Sequence, residues 1–298
     1  MRIPVILATL ALAAPALAGG VRERLVVDAG WLAKHLNDAS LVILQVGDKT
    51  GYEAGHIPGA QLVTLADFAA PSTGPDALIL EMPSPEALRA RLIALGVSNR
   101  SQIVVVPTRE GIQSATRVVF TLDAAGLGAR TKLLDGGRSG WLGAGQKVTT
   151  DLPRIAPGEL APLAFRPVVV DAAYVRSHLS APGYVVVDAR APDFYSGARP
   201  GGMPAHPHKP GHIAGAVSVP FMSVTTPEMK LASSEEIAAR FKAAGVKRGD
   251  TVITYCHVGQ QATATLFAAR TLGIKTLLYD GSFEEWSRIG GPVAVAAP

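Results

Sequence analysis

A single cysteine, Cys256, in 298 residues excludes any disulfide within the chain. Charge of one sign is also scarce: 28 basic against 24 acidic residues leave a formal net charge of +4, with the basic residues scattered rather than clustered. That balance gives no footing for nucleic-acid binding and describes a solvated surface with a mild attraction for small anions. Glycine and proline follow no fixed period, and 48% of the residues are hydrophobic, so collagen-like and disordered classes are excluded. A chain of this length and apolar content has enough material for two domains of ordinary size.

The apolar stretch at the N-terminus, Val5 to Ala14, is too short for a membrane span and is followed by Gly19-Gly20 rather than by charge. With Arg2 before it and Ala16-Leu17-Ala18 after it, residues 1–18 read as a signal peptide cut after Ala18, which leaves a soluble periplasmic or secreted protein without membrane attachment. In an oxidising compartment one unpaired thiol is an anomaly, and reactivity or a subunit bridge is its expected use.

After this segment the sequence repeats. His56-Ile57-Pro58-Gly59-Ala60 returns as His212-Ile213-Ala214-Gly215-Ala216 at an offset of 156 residues; Glu86 to Val97 returns as Glu235 to Val246 at 149; Asp135-Gly136 and Trp141 return as Asp280-Gly281 and Trp286 at 145. Drifting offsets mean one unit duplicated, with loop insertions. Each copy alternates β-branched runs (Leu41 to Val46, Ile103 to Val106; Tyr184 to Asp188, Thr251 to Tyr255, Lys275 to Tyr279) with helical stretches (Glu86 to Leu95, Gln113 to Ala125; Ser233 to Gly245, opened by a capping box). The expected fold class is therefore α/β, two tandem domains that each carry a parallel sheet with helices on both faces. The boundaries expected are 21–145 for the first domain, a proline-rich linker over 146–167, and 168–298 for the second.

Cys256 falls in the turn between the run Thr251 to Tyr255 and the next helix, at the carboxyl edge of the sheet where open α/β folds bind ligands. Backbone N–H groups at a helix start favour an anion, and a thiol so placed can titrate at roughly 3.5–7.5. Gly259 lets the loop curl so that those groups converge, a cradle equally suited to a persulfide. A cysteine phosphatase needs an arginine closing a longer loop, and none occurs before Arg270; a Cys–His ion pair with His257 is disfavoured because adjacent side chains diverge.

Taken in order, Val187-Asp188-Ala189-Arg190, Gly211-His212-Ile213-Ala214-Gly215-Ala216, Cys256-His257-Val258-Gly259-Gln260-Gln261-Ala262 and Tyr279-Asp280-Gly281-Ser282-Phe283-Glu284-Glu285-Trp286 resemble the tandem-domain rhodaneses, the thiosulfate sulfurtransferases. The resemblance implies transfer of a sulfane sulfur from thiosulfate to cyanide or a thiol through a persulfide on Cys256. Arg190 and the loop residues His257, Val258, Gly259, Gln260 and Gln261 would then bind substrate, with a structural salt bridge as the alternative for Arg190. No cofactor and no metal are expected; the partners are a small sulfur donor and acceptor, with a protein acceptor as the carrier alternative. The Cys-Gly-Ser-Gly loop of mercaptopyruvate enzymes is absent, as are the basic residues often found in thiosulfate-specific loops, which leaves the donor open. Counted from Gly111, Thr108 stands opposite Cys256, and Gln45-Val46-Gly47 opposite Asp188-Ala189-Arg190, so the first domain is expected to be non-catalytic, with Arg109 at its surface. The insertion over 199–210, with His206 and His208, is expected to rim the site rather than to bind metal.

Overall fold

The computed structural model describes residues 20–74, 76–203 and 206–295. The signal peptide expected over 1–18 lies outside them. In the first half, β1 (Val26–Val27), β2 (Leu41–Val46), β3 (Ala60–Val63), β4 (Gln102–Val106) and β5 (Thr131–Leu134) form a parallel sheet in the order β1-β5-β4-β2-β3. The second half contributes β6 (Val169–Val170), β7 (Tyr184–Asp188), β8 (Gly202–Met203), β9 (His206–Pro207), β10 (His212–Ile213), β11 (Val217–Ser218), β12 (Thr251–Tyr255), β13 (Lys275–Tyr279) and β14 (Val293–Ala294). Of these, β6-β13-β12-β7-β11 repeats the first sheet strand for strand, again parallel, while β8 with β9 and β10 with β14 make small antiparallel ribbons.

The expected strands are present, β4 beginning one residue early. The helices Pro85–Ala94 and Ile112–Ala124 are each displaced by one residue from expectation. The capping box also forms: Ser233 N–H donates to Glu236 Oε2 (2.9 Å) and Glu236 N–H to Ser233 Oγ (3.2 Å). Repetition extends to details the offsets do not show. Asp28 and Asp171 cap equivalent helices, accepting from Trp31 N–H (2.7 Å) and Tyr174 N–H (2.8 Å). Tyr52 stacks on His56 at 3.8 Å, and Tyr195 on His212 at 3.7 Å; these pairs are four residues apart in one domain and seventeen in the other because the insertion lies between the second pair.

The domains meet along two helices, Ile112–Ala124 and Gln261–Thr271, which are buried on nearly all sides. A helix without a solvated face must sit between two layers. Small residues on the second one, Ala262, Ala264, Ala268 and Ala269, let the backbones approach, and Thr116 Oγ1 lies 3.0 Å from Thr263 Oγ1 across the contact. The apolar clusters accordingly run through both domains, with Leu122 and Val119 in one cluster with Phe267 and Ala268. The connecting segment is pinned to the first domain rather than free: Thr149 bridges His56, Gly158 N–H donates to Ile93 O (2.8 Å), Asn99 N–H to Glu159 O (2.9 Å), and Leu160 is buried.

Candidate active site

Strand β12 ends at Tyr255, paired with Asp188 at the end of β7, so Cys256 and Arg190 emerge side by side from the carboxyl edge of the sheet. Cys256 is buried, 1% exposed, in an apolar cluster with Ala189, Ala262, Leu266 and Leu278 and with Phe120 and Ala124 of the first domain's helix. Its own N–H donates to Ser282 Oγ (3.2 Å), and its carbonyl accepts from Phe283 N–H (3.0 Å). Backbone N–H groups of Ala262, Val258 and Gln261 face the sulfur and favour its anion.

The thiol nevertheless titrates above its ordinary value, not in the lowered range expected from a helix terminus. Burial is the largest influence, the three N–H groups oppose it, and the Asp188 carboxylate adds to it. Removing a small anion from water costs more than these donors return. The cradle is present, and its effect is to limit the penalty of burial.

Arg190 is buried beside it, 1% exposed. Its Nη2 donates to Asp188 Oδ2 (2.6 Å) and to Gly211 O (2.8 Å), its Nε to Asp188 Oδ1 (3.0 Å), and the guanidinium lies over Phe283 at 3.9 Å. The ion pair and a position next to the sulfur thus coexist: the charges of Arg190 and Cys256 interact. Tyr255 completes the network, donating its hydroxyl to Asp188 Oδ2 (2.7 Å) and accepting from Ile213 N–H (3.1 Å), and burial with the Asp188 charge keeps its phenol protonated well above the usual range.

A cavity of about 340 Å³ opens beside the loop, lined by His257, Val258 and Glu284, by Phe194, Arg199 to Gly202 and His208, and by Ile79 of the first domain. The insertion therefore rims this cavity. His208 and His257 touch each other in its wall, Nδ1 to Nδ1 at 3.3 Å, and burial with the Arg190 charge lowers them to about 4 and about 3, so both are neutral at pH 7. His212 is engaged elsewhere, its Nδ1 2.8 Å from Tyr195 O.

The other loop residues do not face the cavity. Gly259 (φ +77°) directs its carbonyl toward Arg117 of the first domain, and Gln260 Nε2 donates to Ser114 Oγ (2.9 Å), also in the first domain. Arg117 is 1% exposed and also donates to the Asp280 carboxylate and to Leu80 O. Sequence reasoning assigned no role to Arg117 or Ser282. Ser282 had one signal, its place after the repeated Asp-Gly; it holds a positive φ of 53° although it is not glycine. Arg117 had none, since only the packing of two helices from different domains brings it to the loop.

In the first domain the strand register corrects the expected counterpart of Cys256. Gln45 pairs with Val106 as Asp188 pairs with Tyr255, which puts Pro107, not Thr108, opposite the cysteine; the loop to Gly111 is one residue longer than that to Gly259. Equivalent backbone bonds agree: Arg138 N–H donates to Pro107 O as Phe283 N–H does to Cys256 O, both at 3.0 Å. Arg109 is exposed and paired with Asp48 (2.7 Å).

Comparison with known proteins adds three kinds of likeness. A rhodanese-like domain model matches residues 28–144 and again 171–289. Among curated proteins, a sulfur carrier protein of Thermus thermophilus is 27% identical over 93% of this chain and 98% of its own length. The thiosulfate sulfurtransferase of Azotobacter vinelandii is 28% identical, with 88% and 93% covered. The 3-mercaptopyruvate sulfurtransferase of Mus musculus is 29% identical, with 88% and 92% covered. Among solved structures, an anaerobic ergothioneine biosynthesis enzyme from Chlorobium limicola superposes with a TM-score of 0.81 at 20% identity over 93% of this chain and 71% of that one, which speaks to the fold alone.

Proposed function

The chain belongs to the rhodanese-like family in both of its halves, and from that premise we propose that its second domain is a sulfurtransferase that carries sulfur on Cys256, with thiosulfate as donor and cyanide or a thiol as acceptor. The observation that carries this reading is the convergence of three backbone N–H groups on a lone thiol beside a cavity. In the first step the thiolate attacks the outer sulfur of thiosulfate; a sulfur–sulfur bond forms to Cys256, the bond to the sulfonate sulfur breaks, and sulfite leaves with its electron pair. In the second, cyanide or a thiolate attacks the outer sulfur of the persulfide, and Cys256 departs as thiolate. A persulfide anion places its charge one atom further out, and the same N–H groups are available to hold it. Phe283 and Tyr255 hold Arg190 where its charge can attract an anionic donor.

Since the relatives divide between thiosulfate and 3-mercaptopyruvate, the donor is the finer part of the proposal. A second reading, a carrier that passes its sulfur to one protein, is favoured by the likeness to the Thermus sulfur carrier protein. Export directed by residues 1–18 belongs to the same proposal, and N-terminal sequencing of protein recovered from the periplasm tests it. The experiment for the chemistry is the intact mass after thiosulfate, and separately after 3-mercaptopyruvate, with Cys256→Ser alongside. Gain of one sulfur from thiosulfate, absent in the variant and removed by cyanide, supports the reading. Gain from mercaptopyruvate alone replaces the donor, retention in cyanide with discharge only to a protein favours the carrier, and no gain from either ends the proposal.

A further inference from the structure

The first domain has no thiol, yet its Arg117 touches the cysteine loop of the second. The Nη1 of Arg117 donates both to Gly259 O (3.3 Å) and to the Asp280 carboxylate, and its Nη2 to Leu80 O. Asp280 in turn accepts from Met82 N–H (2.8 Å), and two residues on, Ser282 accepts the Cys256 N–H. Gly259 is enclosed here: a Cβ on it would lie 2.8 Å from Arg117 Nη1 and 2.9 Å from Asp280 Oδ1. Its positive φ turns the carbonyl outward to the arginine. Because a peptide is planar, the Gln260 N–H is turned to the opposite side; the N–H groups that act on the sulfur are those of Val258 just before this peptide and of Gln261 and Ala262 just after it.

We propose that Arg117 is a positioning residue for Cys256, an arginine supplied by the non-catalytic domain that holds the Gly259 peptide so that the loop's N–H groups converge on the sulfur. A guanidinium suits the task because its planar fork serves a carbonyl, a carboxylate and a second carbonyl at once, which an ammonium on a flexible stem does not. The inference rests on Cys256 as the reactive group, and its test is arranged to separate the two. Asp188 at the end of β7 and Arg190 two residues beyond it are the charges that act on the sulfur, and both are left untouched.

The test is the rate of Cys256 alkylation by iodoacetamide as a function of pH, in the full-length chain with Arg117→Met, Arg117→Lys and the pair Arg117→Met with Asp280→Asn. The pair avoids leaving a buried carboxylate unpartnered if the single variant fails to fold. Arg270→Met, which breaks a different interdomain ion pair (2.7 Å to Asp123), reports what loosening the interface does by itself. Expected is a thiol midpoint shifted upward in Arg117→Met and in the pair, a roughly tenfold lower rate at neutral pH from loss of a charge-assisted bond, partial rescue by lysine, and no shift in Arg270→Met. Unchanged midpoints in both Arg117→Met forms, or an equal shift in Arg270→Met, overturn the inference. Should the wild type load no sulfur while the midpoint still moves with Arg117, the sulfur-transfer reading fails and the positioning role stands. Should it load sulfur while the midpoint ignores Arg117, the reverse holds.

Discussion

Laid over one another, the two domains solve the same structural problem with different residues. Where the second has Cys256, whose buried N–H requires an acceptor, Ser282 supplies one in a left-handed conformation. Where the first has Pro107, no N–H exists, and the matching Gly137 (φ +53°) has no side chain; a Cβ there would lie 2.2 Å from Pro107 O. Gln45 Oε1 accepts directly from Ile57 N–H (3.3 Å), while in the second domain the same peptide reaches Asp188 only through the Tyr255 hydroxyl. The arginine has moved as well. Arg190 donates to Gly211 O, but Gly47 stands in its place in the first domain, and the corresponding carbonyl, Gly55 O, is bonded by Arg138 Nε (2.6 Å) from the position of Phe283. One domain has an ion pair beside a thiol, and the other has the neutral Gln45 at the same corner with its arginine at the rim. The two corners thus differ by a handful of replacements on a shared frame.

The largest expected effect tests the charged corner against the neutral one. Asp188→Ala leaves Arg190 buried without its partner and should cost about 3–5 kcal/mol, whereas Gln45→Ala removes one neutral hydrogen bond and should cost about 1–3 kcal/mol with its cavity. Urea unfolding of each variant measures the difference; equal losses would mean that the two corners are energetically alike after all. Next in size is the serine–glycine exchange. Ser282→Gly orphans the Cys256 N–H at a cost of about 1–3 kcal/mol, offset in part because glycine accepts the positive φ freely. Gly137→Ser should be at least as damaging through its clash with Pro107 O, and a neutral outcome for both would break the argued equivalence of these positions.

Smallest is a pH effect that only the second domain can show, since the insertion that brings His208 to His257 has no counterpart in the first. Both histidines are lowered, to about 4 and about 3, so the unfolded chain takes up protons near pH 6.5 while the folded chain does not. Their contribution is complete above about pH 6.5 and is lost as pH falls toward 4 and then 3. Glu81 acts in the other direction: burial and the Asp280 charge raise it to about 7, so its contribution is present below about pH 4.5 and lost as pH rises to 7. The two lowered histidines act against Glu81 and Asp135, both raised by burial, and by themselves lower the melting temperature as pH falls from 7 to 4.5. Replacing both His208 and His257 by Gln should flatten that drop, and a slope unchanged by the replacement would refute the assignment.

Much of this was legible in the residues. Alternating β-branched runs and helical stretches have distinct periods, and a duplicated unit carries its own internal control, so β2, β7, β12 and β13 were readable end for end. The thiol's place was readable for the same reason: a strand, a glycine loop and a helix follow one another locally. Thr108 was misassigned because a loop one residue longer is invisible without the hydrogen-bond register of β2 and β4. The contact of His208 with His257 was not readable, because a facing ring forty-nine residues away leaves no mark on spacing.

What the sequence determined by itself is therefore whatever depends on near neighbours: the two α/β repeats, the loop that carries Cys256, and the absence of a thiol and of the arginine from the matching corner of the first. What only the tertiary structure decided is whatever depends on burial and on groups distant along the chain. Dielectric surroundings set the direction in which Cys256 titrates, against the local effect of the loop N–H groups. Packing between the two buried helices brings Arg117 to Gly259 across 142 residues of chain, and such a contact is dictated by the fit of two surfaces, a property that no short stretch of sequence contains.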